Sequence, residues 1–175
     1  MTEYLDGNII TPKNINSCYF DLINKVIFIF RKEEFEKVLL HEIIHLQKLD
    51  KDVIFKSNIK ILEFENFDEA YTDYLAIIYH LIYISFIINK SVSSLFAYEF
   101  AFIKNQAQFL NNYFNLGDWT TKQTVNQKSS AFSYYIVKYF IFLNNGKTNI
   151  TVDKFINEKY IDFKSMRMTL FSLQP

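Results

Sequence analysis

Apolar and polar residues change rhythm along this chain, and each change predicts an element. Residues 18–21 and 26–30 read as short strands. The second, Val-Ile-Phe-Ile-Phe, is continuous, apolar and rich in β-branched and aromatic side chains. Residues 22–25 between them, with Asn24, suit a hairpin turn. The rhythm then becomes helical: Phe35, Val38, Leu39, Ile43, Leu46 and Leu49 recur at helical spacing. Glu33, Glu34 and Glu36 crowd the start of that stretch, where negative charge suits the helix dipole, so a helix is predicted over about 32–49.

Residues 50–67 are mixed, with a short strand expected at 59–64. A second helix is predicted from Asp68, an N-cap candidate, to about 89. Further helices are predicted at 93–115 and 129–144, with breaks at Gly117 and Gly146, and one more short helix within 151–171. The expected fold class is α+β and mostly helical, with a small N-terminal sheet packed on the 32–49 helix and a helical C-terminal part. No repeat or Gly/Ser linker divides the chain, so one domain over 1–175 is expected.

The 14 residues 75–88, LAIIYHLIYISFII, are apolar but shorter than the ~20 a spanning helix needs, and they carry His80 and two tyrosines. A buried core helix, with no membrane span, is the expectation.

Half of the 175 residues are hydrophobic and 18% aromatic, which excludes a disordered chain. Lys plus Arg and Asp plus Glu are 19 each, and this neutral balance argues against a nucleic-acid partner. Cys18 is the single cysteine, so no intramolecular disulfide can form. Residues 1–12 hold no basic region followed by an apolar run, so no signal peptide is expected; with the lone cysteine, this points to the cytoplasm. The wealth of Ile, Asn, Lys, Phe and Tyr suits an AT-rich genome, a large DNA virus among the options, which would put the protein in a host cytoplasm or a virion.

Residues 41–45 read His-Glu-Ile-Ile-His, and the chain holds only three histidines. On a helix, positions i and i+4 share one face, so His41 and His45 can bind one Zn²⁺. Glu42 projects about 100° from His41 and about 60° from His45 around the axis, so it flanks the metal without ligating it. There it can take a proton from a water and pass it to a leaving amine. A third ligand must be a carboxylate, because no other His is near. In the 68–76 stretch Glu69 and Asp73 share one helix face: Glu69 suits a ligand, and Asp73 suits an acceptor for the outward N–H of a ligating His.

HEIIH at 41–45 followed by EAYTD at 69–73 resembles the gluzincin metallopeptidases, the clan that includes thermolysin, in a minimal version. The resemblance spans about residues 26–80. It implies a zincin-like domain, His41, His45 and Glu69 as zinc ligands, Glu42 as catalytic base, and Asp73 as support for a ligand. It also implies peptide-bond hydrolysis, endo- or exopeptidase undecided, with the 26–30 strand aligning an extended peptide or protein substrate. An oxyanion donor of the kind such enzymes use would come from Tyr134 or Tyr135; His80 lies about 10 Å beyond Asp73 along its helix, too far to take part directly. Lys122 and Lys128 suit either a substrate carboxylate or a solvated loop. The alternatives are a catalytically inert binding module on the same frame and a metal-free helical interaction protein.

Overall fold

The computed structural model describes residues 3–5, 8–10, 18–21, 23–50, 67–113, 133–143 and 168–171. These residues are mostly helical. Two antiparallel strand pairs precede the helices. β1 (Glu3–Leu5) pairs with β2 (Asn8–Ile10), placing Glu3 opposite Ile10; β3 (Cys18–Asp21) pairs with β4 (Val26–Ile29), placing Cys18 opposite Ile29 and Asp21 opposite Val26. The β1–β2 pair was not anticipated from the hydrophobic pattern. The β3–β4 turn is closed by Asp21, whose Oδ1 accepts the amides of Ile23 at 2.9 Å and Asn24 at 3.0 Å, and Lys25 takes the left-handed conformation at φ 54°.

A 3₁₀ turn (Lys32–Glu34) leads into α1 (Phe35–Leu46), on which β4 packs. The apolar spacing locates this helix but not its inner side. Glu34, Lys37, Val38, His41 and Ile44 are buried, whereas Phe35, Ile43 and Leu46 are exposed. The buried stripe is therefore largely polar. The helix ends in a Schellman motif: Lys48 takes φ 56°, Leu49 N–H donates to the Ile44 carbonyl at 3.2 Å, and Lys48 N–H donates to that of His45 at 3.1 Å. This reversal brings Asp50 back beside the helix.

α2 (Phe67–Ile88) packs against α1 on one side and α3 (Val92–Tyr113) on another. It starts at Phe67, so Asp68 sits in its first turn rather than at the expected cap, with Oδ1 accepting the Glu69 amide at 3.1 Å. Asn89, at φ 51°, ends it, and Ser91 Oγ caps α3 by accepting the Ser94 amide at 3.2 Å. A π-helical turn (Ser133–Val137) runs into α4 (Lys138–Leu143), where one continuous helix had been expected. Met168–Phe171 is not helical: the backbone amides of Met168, Thr169 and Leu170 donate to the buried carboxylates of Glu34 and Glu99. The expected strand at 59–64, Gly117, Lys122, Lys128, Gly146 and most of 151–171 lie outside the described residues.

The apolar core joins α2, α3 and α4 through Ile77, Leu81, Ile84, Leu95, Ile103 and Phe142, with Tyr74 edge-on to Phe142 at 4.8 Å. Each such buried side chain contributes about 1.5–3 kcal/mol of transfer free energy, so this half carries the packing. The α1–α2 contact instead gathers charged and polar groups, and the candidate site lies there.

Among the described residues, one helix, Asp68–Ile88, is long and apolar enough to cross a membrane, and half of its most apolar window is buried inside the protein. Its inner face supplies core residues as expected, but Tyr79, Ile82, Tyr83, Phe86 and Ile87 are exposed.

Candidate metal centre

Helical spacing puts His41 and His45 one turn apart on α1, and Glu69 and Asp73 one turn apart on the facing side of α2. The two stripes meet. His41 Nε2 lies 3.1 Å from His45 Nε2 and 3.2 Å from Glu69 Oε2, and His45 Nε2 lies 3.5 Å from Glu69 Oε1. Zinc–ligand bonds of ~2.0–2.1 Å in a tetrahedral site set ligand atoms roughly 3.3 Å apart. The donor set and its separations therefore fit such an ion. His41, His45 and Glu69 are the only group of three or more metal-ligating side chains of this kind among the described residues.

The outward ring nitrogens strengthen the fit. His41 Nδ1 is 3.2 Å from Asp73 Oδ1, and His45 Nδ1 is 3.1 Å from Asp50 Oδ2. An ionised carboxylate only accepts, so each Nδ1 is the donor to its own aspartate, and a ring in the neutral form that metal ligation requires would turn a lone pair inward at Nε2. Two imidazole lone pairs and a carboxylate would then face one another, an arrangement that could hold a cation.

Without a metal, a proton meets that need. Burial disfavours the His45 cation, but the hydrogen bond and charge of Glu69, and then Asp50, outweigh it and raise His45 to about 9. His41 is more deeply buried and falls to about 4 despite Glu69. Burial pushes the Glu69 carboxyl upward, yet the two imidazoles and Tyr134 hold it well below the usual range.

Glu42, half-buried on the flank of α1, does not join the ligand set; its Oε1 accepts the Cys18 thiol at 2.6 Å. Burial, then this bond, pushes the thiol far above its ordinary value. Tyr134 OH donates to Glu69 Oε2 at 2.5 Å and its ring lies 6.0 Å from that of His41. Tyr135 is buried, its ring 5.8 Å from Lys138 Nζ. His80 is buried outside the cluster, with neither ring nitrogen hydrogen-bonded among the described residues.

Five residues at or behind the site escaped the sequence reading. Asp50 orients His45, and Thr72 Oγ1 donates to it at 3.3 Å. Cys18 was read only for disulfides, yet it touches the candidate base. Lys37 and Lys138 both bond Asp73, the latter at 2.7 Å. Lys37 had a signal, since it precedes His41 by one helical turn on the same stripe. Burial, joined for Lys37 by the nearby Lys138 charge, lowers Lys37 to about 7 and Lys138 to about 8.

No protein-family profile, curated protein or solved structure matches the chain.

Proposed function

We propose that the chain is a zinc-dependent peptidase of gluzincin type with a zincin-like frame, with His41, His45 and Glu69 as ligands. The observation that carries this reading is the meeting of His41 Nε2 and His45 Nε2 at 3.1 Å over the Glu69 carboxylate, whose Oε2 lies 3.2 Å from His41 and Oε1 3.5 Å from His45, each ring being held from behind by its own carboxylate.

Zinc held there would polarise a scissile carbonyl and ease deprotonation of the attacking water. Glu42 takes that proton and delivers it to the leaving amine. Its Oε1 is engaged by Cys18, which leaves Oε2 for this work. Tyr134, already at Glu69, is the candidate donor to the oxyanion as charge develops. An extended peptide would lie along β4, which pairs with β3 on one edge and with no other strand among the described residues. Val26, Phe28 and Phe30 are exposed there, which favours substrates with apolar side chains. The free thiol of Cys18 suits a reducing cytoplasm. In this reading α2 is a core helix, not a membrane span.

The test is Glu42→Gln. Zinc content is expected to match the wild type while cleavage of a fluorogenic peptide library disappears. Cleavage retained in that variant contradicts the mechanism.

A second reading, an inert metal-binding module on the same frame, draws on the Cys18–Glu42 contact, which occupies one oxygen of the base. A peptide hydroxamate separates the two: it binds a centre with an open position and leaves a closed structural centre untouched.

A further inference from the structure

Lys37 and Lys138 are unusual in a way that metal ligation by itself leaves unaccounted for. Fully buried lysines are rare unless paired. Here two of them, 1% and 0% exposed, come from α1 and α4 and converge on one carboxylate that is itself fully buried. Asp73 Oδ1 is shared by Lys37 Nζ and His41 Nδ1, and Oδ2 takes Lys138 Nζ at 2.7 Å.

We propose that Lys37 and Lys138 are positioning residues of the metal centre, clamping both oxygens of Asp73 so that Oδ1 stays on His41 Nδ1 and His41 Nε2 stays aimed at Glu69 and His45. This rests on the metal reading above. The physical case is geometric. An aspartate side chain turns about two bonds, and one contact to His41 leaves the second oxygen free to swing. A donor on each oxygen removes that freedom. Lys37 sits one turn before His41, so a single helix supplies both donors to Oδ1. Lys138 approaches from 65 positions further along the chain and also donates to the Met168 carbonyl at 3.3 Å. The clamp therefore ties α4 and the 168–171 segment to the ligand geometry. Lysines serving only to fill space here would be outdone by apolar side chains, which cost no desolvation.

The test uses the full chain and zinc itself. Lys37→Met, Lys138→Met and Asp73→Asn are compared, and each Met change is repeated in the Asp73→Asn background. Zinc affinity is read by chelator competition, ligand geometry by the visible spectrum of the Co²⁺ form, and folding by circular dichroism. Each Met variant is expected to bind zinc roughly 10- to 100-fold more weakly with a shifted Co²⁺ spectrum. In the Asp73→Asn background the same change is expected to add little, because the lysines act through Asp73.

Unchanged affinity and spectrum in the folded Met variants overturn the proposal, as does an equal further loss in the Asp73→Asn background. Should a single Met variant fail to fold, the double variant, which removes the opposing charge as well, decides by the same comparison with Asp73→Asn. A wild type that binds no zinc overturns the metal reading; zinc binding with indifferent lysine variants overturns this inference alone.

Discussion

His41 Nδ1 meets Asp73 Oδ1 at 3.2 Å, and this contact decides which ring nitrogen faces the neighbouring helix. With Nδ1 the donor, Nε2 is left as an acceptor pointing at His45 and Glu69. His45 repeats the arrangement with Asp50. The candidate centre is thus two helix faces, each ring braced from outside.

The proton that stands in for a metal gives the first prediction. With His45 raised to about 9 and His41 lowered to about 4, the metal-free pair carries about one proton at neutral pH. Zinc bound there would have to displace it, so binding at pH 7 is expected to release about one proton. Affinity should climb roughly tenfold per pH unit between about pH 5 and 9 and then flatten. Calorimetry in buffers of different ionisation enthalpy measures the release directly. A binding heat independent of buffer would mean that His45 is already neutral.

His80 gives a second, through folding. Burial lowers its pKa to about 4, Lys37 also disfavouring its cation while Glu36 and Glu34 oppose. The unfolded chain takes up this proton below about 6.5, the folded chain only below about 4. The associated stability is therefore complete above pH 6.5 and declines as pH falls toward 4, by roughly 3 kcal/mol in all. His80→Leu removes that loss and two unsatisfied ring nitrogens. Urea melts at pH 7 and pH 4.5 should show a smaller acid penalty in the variant than in the wild type. Equal penalties would place the acid sensitivity elsewhere.

The pairing of four residues of the candidate site was legible because helical periodicity is a local property. His41 with His45 and Glu69 with Asp73 need only the i, i+4 rule, and the β3–β4 hairpin needed only two apolar runs and a turn. Asp50 was not legible, because its approach to His45 depends on Lys48 taking φ 56°, a conformation a lysine does not advertise. Lys138 reaches Asp73 only through tertiary packing. Nor does the apolar rhythm of α1 reveal its inner side: Phe35, Ile43 and Leu46 carry the rhythm and are exposed, while Glu34, Lys37 and His41 are buried. A buried ionic network reverses the usual pattern because its charges satisfy one another, with Glu34 taking Arg31 at 2.9 Å and the Thr169 amide at 3.3 Å.

Tyr134 and Tyr135, equivalent candidates in the sequence, should behave differently. Tyr134→Phe removes the hydroxyl that donates to Glu69 at 2.5 Å and is expected to lower kcat by roughly 10²-fold with zinc retained. Tyr135→Phe should leave turnover close to that of the wild type. Equal effects of the two changes would dismiss Tyr134 as the oxyanion donor.

Zinc content, measured by elemental analysis in the purified wild type and in Glu69→Ala, bears on the metal centre most directly. About one zinc per chain in the wild type, with a marked loss in Glu69→Ala, is the expected result, because Glu69 completes the three-donor set. No zinc in the wild type after reconstitution, or zinc indifferent to Glu69→Ala, would contradict it.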